Sequence, residues 1–165
     1  AIIKNEVINM YIRRAQEKDL PGLYKLLYQV NDVHHRGRPD LFKKGGRKYT
    51  EEELITMIHD DGKPIFVAVN DDETVMGYAF CVFIQHKDDH ILTDIKTLYI
   101  DDLCVDEEQR GAHIGSSLYQ HVLDFAKESG CYNVTLNVWA LNESAYKFYQ
   151  KCGLSIQKIG MEKIL

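Results

Sequence analysis

The sequence contains no apolar run that approaches the roughly 20 residues of a membrane-spanning helix, and its first residues lack the apolar core of a secretory leader. We therefore expect no membrane partner and a cytoplasmic location. The 4 cysteines are widely separated and form no Cys-x-x-Cys pair, which disfavours a zinc ribbon or a dithiol redox centre. Internal repeats and low-complexity segments are also missing, so a repeat architecture is not predicted.

Two common phosphate-binding patterns are absent as well. No glycine-rich segment ends in Gly-Lys-Ser or Gly-Lys-Thr, and no Gly-x-Gly-x-x-Gly is followed about 20 residues later by an acidic residue. These absences disfavour a nucleotide triphosphatase loop and a dinucleotide-binding fold. The adjacent side chains of His34 and His35 diverge and have no carboxylate at ligand spacing, so we expect no metal site.

The length and composition of the sequence are typical of one globular domain. Its 165 residues, 45% hydrophobic and 27% charged, predict a single domain over residues 1–165, with residues 1–9 as a loosely held tail. The net charge of -5 disfavours a nucleic-acid partner, and it would attract a cationic substrate to an acidic cleft.

Strand-like and helix-like patterns mix along the chain, which predicts an α/β fold with a mixed sheet. A polar segment without periodicity, residues 31–48, is expected to be a loop. The predicted strands cover residues 10–15, 65–69, 75–84, 95–105, 132–138 and 154–159, the last continuing toward residue 165. The predicted helices cover residues 20–30, 51–59, 114–129 and 143–151.

The turn between the fourth strand and the third helix has the composition of an anion site. The first N–H groups of a helix have no internal partner, and the helix dipole adds positive charge there. Gly111 permits close approach of the backbone, Arg110 adds a formal charge, and Ser116 adds a hydroxyl. A pyrophosphate is the natural ligand, although a glycine in a turn can also serve only to relieve steric strain.

Two blocks of the sequence carry a family resemblance. Residues 108–116, Glu-Gln-Arg-Gly-Ala-His-Ile-Gly-Ser, and residues 137–154, which include Asn-Glu-Ser-Ala-Tyr-Lys-Phe-Tyr and a later Gly-Leu, occur in that order. They resemble the two signatures of the GNAT superfamily of acetyl-CoA-dependent N-acetyltransferases. Glu108 stands where the family has Gln or Arg, His113 where it has a second Gly or Ala, and Leu154 where it has Phe.

The resemblance implies a GNAT-like mixed central β-sheet with a splay between the fourth and fifth strands, flanked by helices on both faces. Acetyl-CoA would be the co-substrate and no metal would take part. Pantetheine would pair with the backbone of the fourth strand, the pyrophosphate would lie on the turn, and the last helix would bound the channel. The implied cofactor-binding residues are Leu103, Cys104, Val105, Arg110, Gly111, Ala112, His113, Ile114, Gly115, Ser116, Asn142 and Ser144.

The same resemblance implies the catalytic groups. Tyr149 would protonate the leaving thiolate, because a phenol of ordinary pKa about 10 can donate to a thiolate whose conjugate acid has a pKa of about 8.5. Asp101 or Asp102 would assist loss of the proton from the amine. Successive strand residues face opposite sides, so we expect only one of them to do this. Asp101, which shares its side with Tyr99, is preferred, and Asp102 is then a structural residue.

The leading hypothesis is direct transfer of an acetyl group from acetyl-CoA to a primary amine, with a small cationic amine as acceptor. The alternatives are a protein or peptide N-acetyltransferase and a non-catalytic acyl-CoA-binding module. The basic segment 36–48 is either solvated surface or a site for an anionic part of a ligand. Dimers are common in the resembling family, so the resemblance also allows a homodimer.

Overall fold

A computed structural model of the chain describes residues 9–109 and 113–165. Helices and strands mix as the sequence predicts, and the α/β fold class is confirmed. The strands are β1 (Met10–Arg14), β2 (Ile65–Asn70), β3 (Val75–Gln85), β4 (Lys96–Val105) and β5 (Asn133–Leu136). The helices are α1 (Leu20–Gly37), α2 (Glu51–Ile58), α3 (Ile114–Glu128) and α4 (Glu143–Lys151).

The sheet has the strand order β1-β2-β3-β4-β5, antiparallel except for the parallel pair β4 and β5. Pairing of β4 with β5 runs from Thr97 opposite Asn133 to Ile100 opposite Leu136 and then stops. Residues 102–105 remain paired with β3. One edge of β4 is therefore open beyond Ile100, and the predicted splay between the fourth and fifth strands is confirmed.

Helices cover both faces of the sheet, as expected. On one face, α1 and α2 pack through Leu23, Leu26, Leu27, Leu54 and Ile58. On the other, α3 packs through Ile114, Leu118, Tyr119, Val122 and Ala126. We call these faces the α1–α2 face and the α3 face. Among the described residues, no helix has both the length and the apolar content that a membrane span requires.

The first helix is longer than the sequence predicted. The segment after residue 30 was expected to be loop, but α1 continues to Gly37. Contacts with the following loop hold the added turns, because the rings of His34 and Phe42 lie 4.9 Å apart and His35 Nδ1 donates to the carbonyl oxygen of Phe42 at 2.7 Å. Such tertiary contacts leave no periodic signal in the sequence.

The predicted last strand is wrong. Gly153 has a φ of +90°, and no helix or strand follows α4. Leu154 packs against the α3 face, whereas Ile159 is 76% and Met161 93% exposed. An alternating pattern predicts a strand only where a neighbouring strand supplies hydrogen-bond partners, and β5 does not pair with this segment.

Gly77 of β3 lies where α3 and β4 approach most closely. An added Cβ would stand 2.9 Å from the carbonyl oxygen of Cys104 and 3.0 Å from Leu118. We expect Gly77→Ala to lower the free energy of unfolding by about 1–3 kcal/mol, because the backbone of β4 cannot retreat without disturbing its pairing. Urea denaturation measures this. The matched control is Gly160→Ala, which meets no atom within 4 Å and should change stability by less than about 0.5 kcal/mol. Equal stabilities would contradict the close packing.

Candidate active site

The two candidate carboxylates lie at a β-bulge in β4. Phe80 of β3 is opposite Asp102 and Cys81 is opposite Ile100, so Asp101 is an extra residue without a partner position. Strict alternation of side chains breaks down at a bulge. Both carboxylates therefore reach the α1–α2 face, and the expectation that Asp101 and Asp102 face opposite sides does not hold at this point of the strand.

The side chain that donates to Asp102 is neutral. The hydroxyl of Tyr78, which is fully buried, donates to Asp102 Oδ2 at 2.7 Å. Burial raises the pKa of Asp102 to about 6, while the Tyr78 hydrogen bond and the charge of Lys48 act in the opposite direction. This carboxyl group therefore changes protonation state close to neutral pH, as a general base should.

Asp101, unlike Asp102, has a cation as a direct partner. The hydroxyl of Tyr49 donates to Asp101 Oδ2, and Lys48 Nζ lies 2.9 Å from the same oxygen. The ring of Tyr49 stacks on Phe80 with centroids 5.5 Å apart. Burial, together with the hydrogen bond to Asp101, raises the pKa of Tyr49 above its usual range. The segment before α2 is thus fixed to the bulge by an ion pair, a hydrogen bond and a ring contact.

Tyr149 of α4 is the candidate proton donor. Its ring lies 5.1 Å from that of Phe148, which packs against the α3 face. Burial raises the pKa of Tyr149, and the negative charge of Asp102 raises it further. The phenol therefore keeps its proton throughout the neutral range, which a proton donor requires.

The strand segment expected to hold pantetheine borders the splay. Leu103, Cys104 and Val105 pair with β3 on one side and have no β5 partner on the other. Strand residues direct backbone N–H and C=O groups toward both neighbours, so this open edge offers hydrogen-bonding groups to an extended ligand. The thiol of Cys104 points away from the edge, 3.9 Å from the carbonyl oxygen of Leu26.

The start of α3 is set by His113, which has a left-handed conformation with φ 57° and ψ 25°. His113 stands where the resembling family has Gly or Ala, and His is one of the residues that adopt this region more readily than most. The carbonyl oxygen of His113 accepts from the Ser117 N–H at 3.0 Å and from its hydroxyl at 2.9 Å. The first turn of the helix is thereby closed.

The next residues tie α3 to its neighbours. Ile114 is buried, Ser116 is exposed, and a Cβ on Gly115 would stand 3.4 Å from Phe148 of α4 and 3.6 Å from Val105 of β4. Gly115 thus allows the helix start to lie against both elements at the splay. The remaining predicted turn residues, Arg110, Gly111 and Ala112, lie outside the described residues.

Comparison with known proteins identifies the family. The sequence profile of the acetyltransferase (GNAT) family matches residues 27–154, most of the chain. The chain belongs to the GNAT family of acetyltransferases.

Two curated relatives illustrate the range of the family. The chain is 37% identical to glucosamine 6-phosphate N-acetyltransferase of Arabidopsis thaliana over 117 residues, which are 69% of this chain and 76% of the relative. It is 29% identical to the peptidyl-lysine N-acetyltransferase YjaB of Escherichia coli over 145 residues, 88% of this chain and 82% of that one. Members of the family use acetyl-CoA as co-substrate.

Solved structures agree with the fold. A mutant of the BH1408 protein from Bacillus halodurans has a TM-score of 0.89 at 28% identity, covering 94% of this chain and 99% of its own. The crystal structure of glucosamine-6-phosphate N-acetyltransferase from Arabidopsis thaliana has a TM-score of 0.69 at 23% identity, covering 94% and 98%. The second likeness supports the fold alone.

In the acetyltransferase, Asn142 and Ser144 form the start of α4. Asn142 Oδ1 accepts from the Ala145 N–H and from the Ser144 hydroxyl, both at 3.2 Å. This side-chain cap satisfies donors at the helix terminus. It fixes the helix that carries Tyr149, and a direct contact of either residue with the co-substrate stays a prediction.

Asp106 was missed by the sequence analysis. It is 4% exposed and accepts hydrogen bonds from Lys25 at 3.1 Å, Gln29 at 3.3 Å and the Glu108 N–H at 3.1 Å. Burial acts to raise the pKa of Asp106, but these donors hold it below its usual range. Asp106 therefore ties α1 to the chain just before the turn. Its only sequence signal was its place after the central strand.

The α1–α2 loop contributes an aromatic contact beside the site. Phe42 makes an edge contact with Trp139, 5.4 Å between ring centroids, so this loop meets the one that precedes α4. Burial, and next to it the charge of Lys48, lowers the pKa of His34, which favours the neutral ring. In residues 9–109 and 113–165, no cluster of three or more His, Cys, Asp or Glu side chains is arranged to hold a metal.

Burial of Asp102 has a consequence for stability. A folded-state pKa of about 6, above the ordinary 3.9, means that this group favours folding below pH 3.9 and loses that contribution as pH rises through 6. We expect Asp102→Asn, which keeps the acceptor for Tyr78, to be more stable than the parent by about 1–2 kcal/mol at pH 8 and to lose this advantage near pH 4.

Urea denaturation at several pH values tests this expectation. The matched control is Asp101→Asn, which removes the ion-pair partner of Lys48 and should show no stabilisation at pH 8. If the stability difference between Asp102→Asn and the parent is the same at pH 4 and pH 8, Asp102 does not have a raised pKa.

Proposed function

We propose that the protein transfers the acetyl group of acetyl-CoA directly to a primary amine, without an acyl-enzyme. The observation that carries the proposal is the pair of carboxylates, Asp101 and Asp102, on the α1–α2 face where the open edge of β4 begins. The charge of Asp102 also raises the pKa of Tyr149, the proposed proton donor. Acetyl-CoA supplies a thioester. The open edge and the N-terminus of α3 fit an extended ligand with an anionic part.

The acceptor amine must lose a proton before it can attack, and Asp102 is the best-suited base. An ordinary aspartate lies about 6 pKa units below a lysine-like ammonium, but Asp102, with a pKa of about 6, lies only about 4 units below it. Asp101, already paired with Lys48, serves instead to bind cationic groups. This assignment reverses the sequence-based preference for Asp101.

The leaving thiolate needs a donor, and the carbonyl oxygen needs stabilisation. Tyr149 remains protonated at neutral pH and can hydrogen-bond to the sulfur as negative charge develops there. A backbone N–H of the open segment 103–105 can stabilise the carbonyl oxygen, because fixed donors act strongly at a site from which water is excluded. Each step thus has a candidate group.

We infer a small cationic amine as the acceptor, because two carboxylates lie side by side at the site. A second candidate is an amine that also bears an anionic group. It is favoured by Lys43 and Lys44, which are exposed and form no ion pair with any described residue, and by Arg47, whose guanidinium stands 4.9 Å from the ring centroid of Tyr24. The relative named for glucosamine 6-phosphate points the same way.

A thiol-release assay with acetyl-CoA separates these possibilities. The panel contains polyamines, aminoglycosides, amino acids, short peptides, and glucosamine beside glucosamine 6-phosphate. We expect turnover of small cationic amines. A preference for the phosphorylated sugar over glucosamine would support the anionic acceptor instead. Silence across the panel with acetyl-CoA binding intact by calorimetry would leave a specific protein acceptor or the non-catalytic module.

Tyr149→Phe tests the proton donor. We expect kcat to fall by about 10²–10³-fold because the sulfur loses its hydrogen-bond donor, while acetyl-CoA affinity changes little. Tyr146→Phe is the matched control, because Tyr146 lies on the same helix but is 40% exposed, and it should retain the parent kcat. A Tyr149→Phe variant with full turnover would remove Tyr149 from the mechanism.

A further inference from the structure

One lysine of the chain already occupies the neighbourhood of the catalytic carboxylates. Lys48 Nζ lies 2.9 Å from Asp101 Oδ2 and 5.7 Å from the ring centroid of Tyr49. Its charge also lowers the pKa of Asp102, so it stands within electrostatic reach of the proposed base. An ammonium group beside these carboxylates is what an acceptor substrate would present.

Neighbouring lysines do not share this position. Lys43 and Lys44 belong to the same loop, yet they are exposed and have no carboxylate ion pair among the described residues. The Lys48 side chain is 46% exposed, so its amine is held at the site while it can still move within it. Because Asp101, the ion-pair partner of Lys48, is fixed on β4, the effective concentration of the Lys48 amine at the site is high.

We propose that Lys48 is an intramolecular acetyl acceptor, so that the enzyme N-acetylates its own side chain when no other amine occupies the site. The inference rests on the proposed function, because it uses the same base, the same proton donor and the same thioester. It adds a covalent modification site in the acceptor region.

The reaction balances without a further reactant. The Lys48 ammonium gives one proton to Asp102 and through it to solvent, and the neutral nitrogen forms a bond to the acetyl carbonyl carbon. The carbon–sulfur bond breaks, and its electron pair stays with sulfur. Sulfur takes a proton from Tyr149, and the second proton lost by the nitrogen restores the phenol. The products are N-acetyl-Lys48, the free thiol of CoA and one proton.

Acetylation changes the electrostatics of the site. The acetylated side chain is neutral, so Asp101 loses the cation that compensates it and keeps only the Tyr49 hydroxyl. The uncompensated carboxylate then attracts an external ammonium more strongly. The modification would therefore strengthen acceptor binding, and the loss of the Lys48 charge would raise the pKa of Asp102 further.

The test incubates the full chain with acetyl-CoA alone and follows acetylation of each lysine by peptide mass spectrometry. Lys43 and Lys44 serve as internal controls for uncatalysed acetylation. We expect Lys48 to be modified at least about tenfold faster than either, with a first-order rate constant that does not change on dilution of the enzyme. A rate constant that falls on dilution would show transfer between molecules and overturn the intramolecular assignment.

Variants separate this inference from the proposed function. Tyr149→Phe should slow acetylation of Lys48 to the rate of Lys43, while Lys63→Arg, a change at an exposed residue after α2, should leave it unaltered. If amines of the panel are acetylated but Lys48 reacts no faster than Lys43, the inference is wrong and the proposed function stands. If neither the panel nor Lys48 reacts, the inference and the small-amine acceptor are both wrong.

Discussion

Loss of pairing between β4 and β5 after Ile100 is the constraint on which the rest of the site depends. A fully paired β4 would use its backbone groups within the sheet and leave none for a ligand. The break is held open by packing on both faces. Gly115 lets the start of α3 lie against Val105 and Phe148, while Tyr49 and Phe80 stack on the opposite face. Packing on both faces of the sheet therefore fixes the gap between β4 and β5.

At the bulge in β4, two adjacent carboxylates lie in different electrostatic surroundings. Two like charges side by side disfavour ionisation of at least one of them. Lys48 and Tyr49 stabilise the negative charge of Asp101. Burial, and to a smaller extent the charge of Asp101, raise the pKa of Asp102 to about 6. A direct cation at Asp102 would hold this carboxylate ionised and make it a weaker base. The neutral Tyr78 hydroxyl orients the group with less effect on its basicity.

Much of the fold could be predicted from local patterns. Thr50 and Glu53 have the Thr-x-x-Glu spacing of a capping box and form its two hydrogen bonds, at 3.2 and 2.9 Å. The helix α4 covers residues 143–151 as predicted. The failures share a cause. The extension of α1 depends on contacts with Phe42, and the predicted last strand lacks a partner on this chain. Both outcomes depend on distant residues, and periodicity does not report those.

The candidate site shows the same difference between what local sequence patterns predict and what depends on distant residues. The resemblance placed Tyr149 and the segment 103–105 at one location because motif residues keep their spacing on a shared scaffold. Alternation along β4 could not predict that Asp101 and Asp102 share a face, because a bulge is defined by how the strand pairs with β3. Nor could it find Tyr49 and Tyr78, which reach the carboxylates from residues 52 and 24 positions away. The raised pKa of Asp102 is therefore a property of the folded sheet, since the same two aspartates on a regular strand would lie on opposite faces.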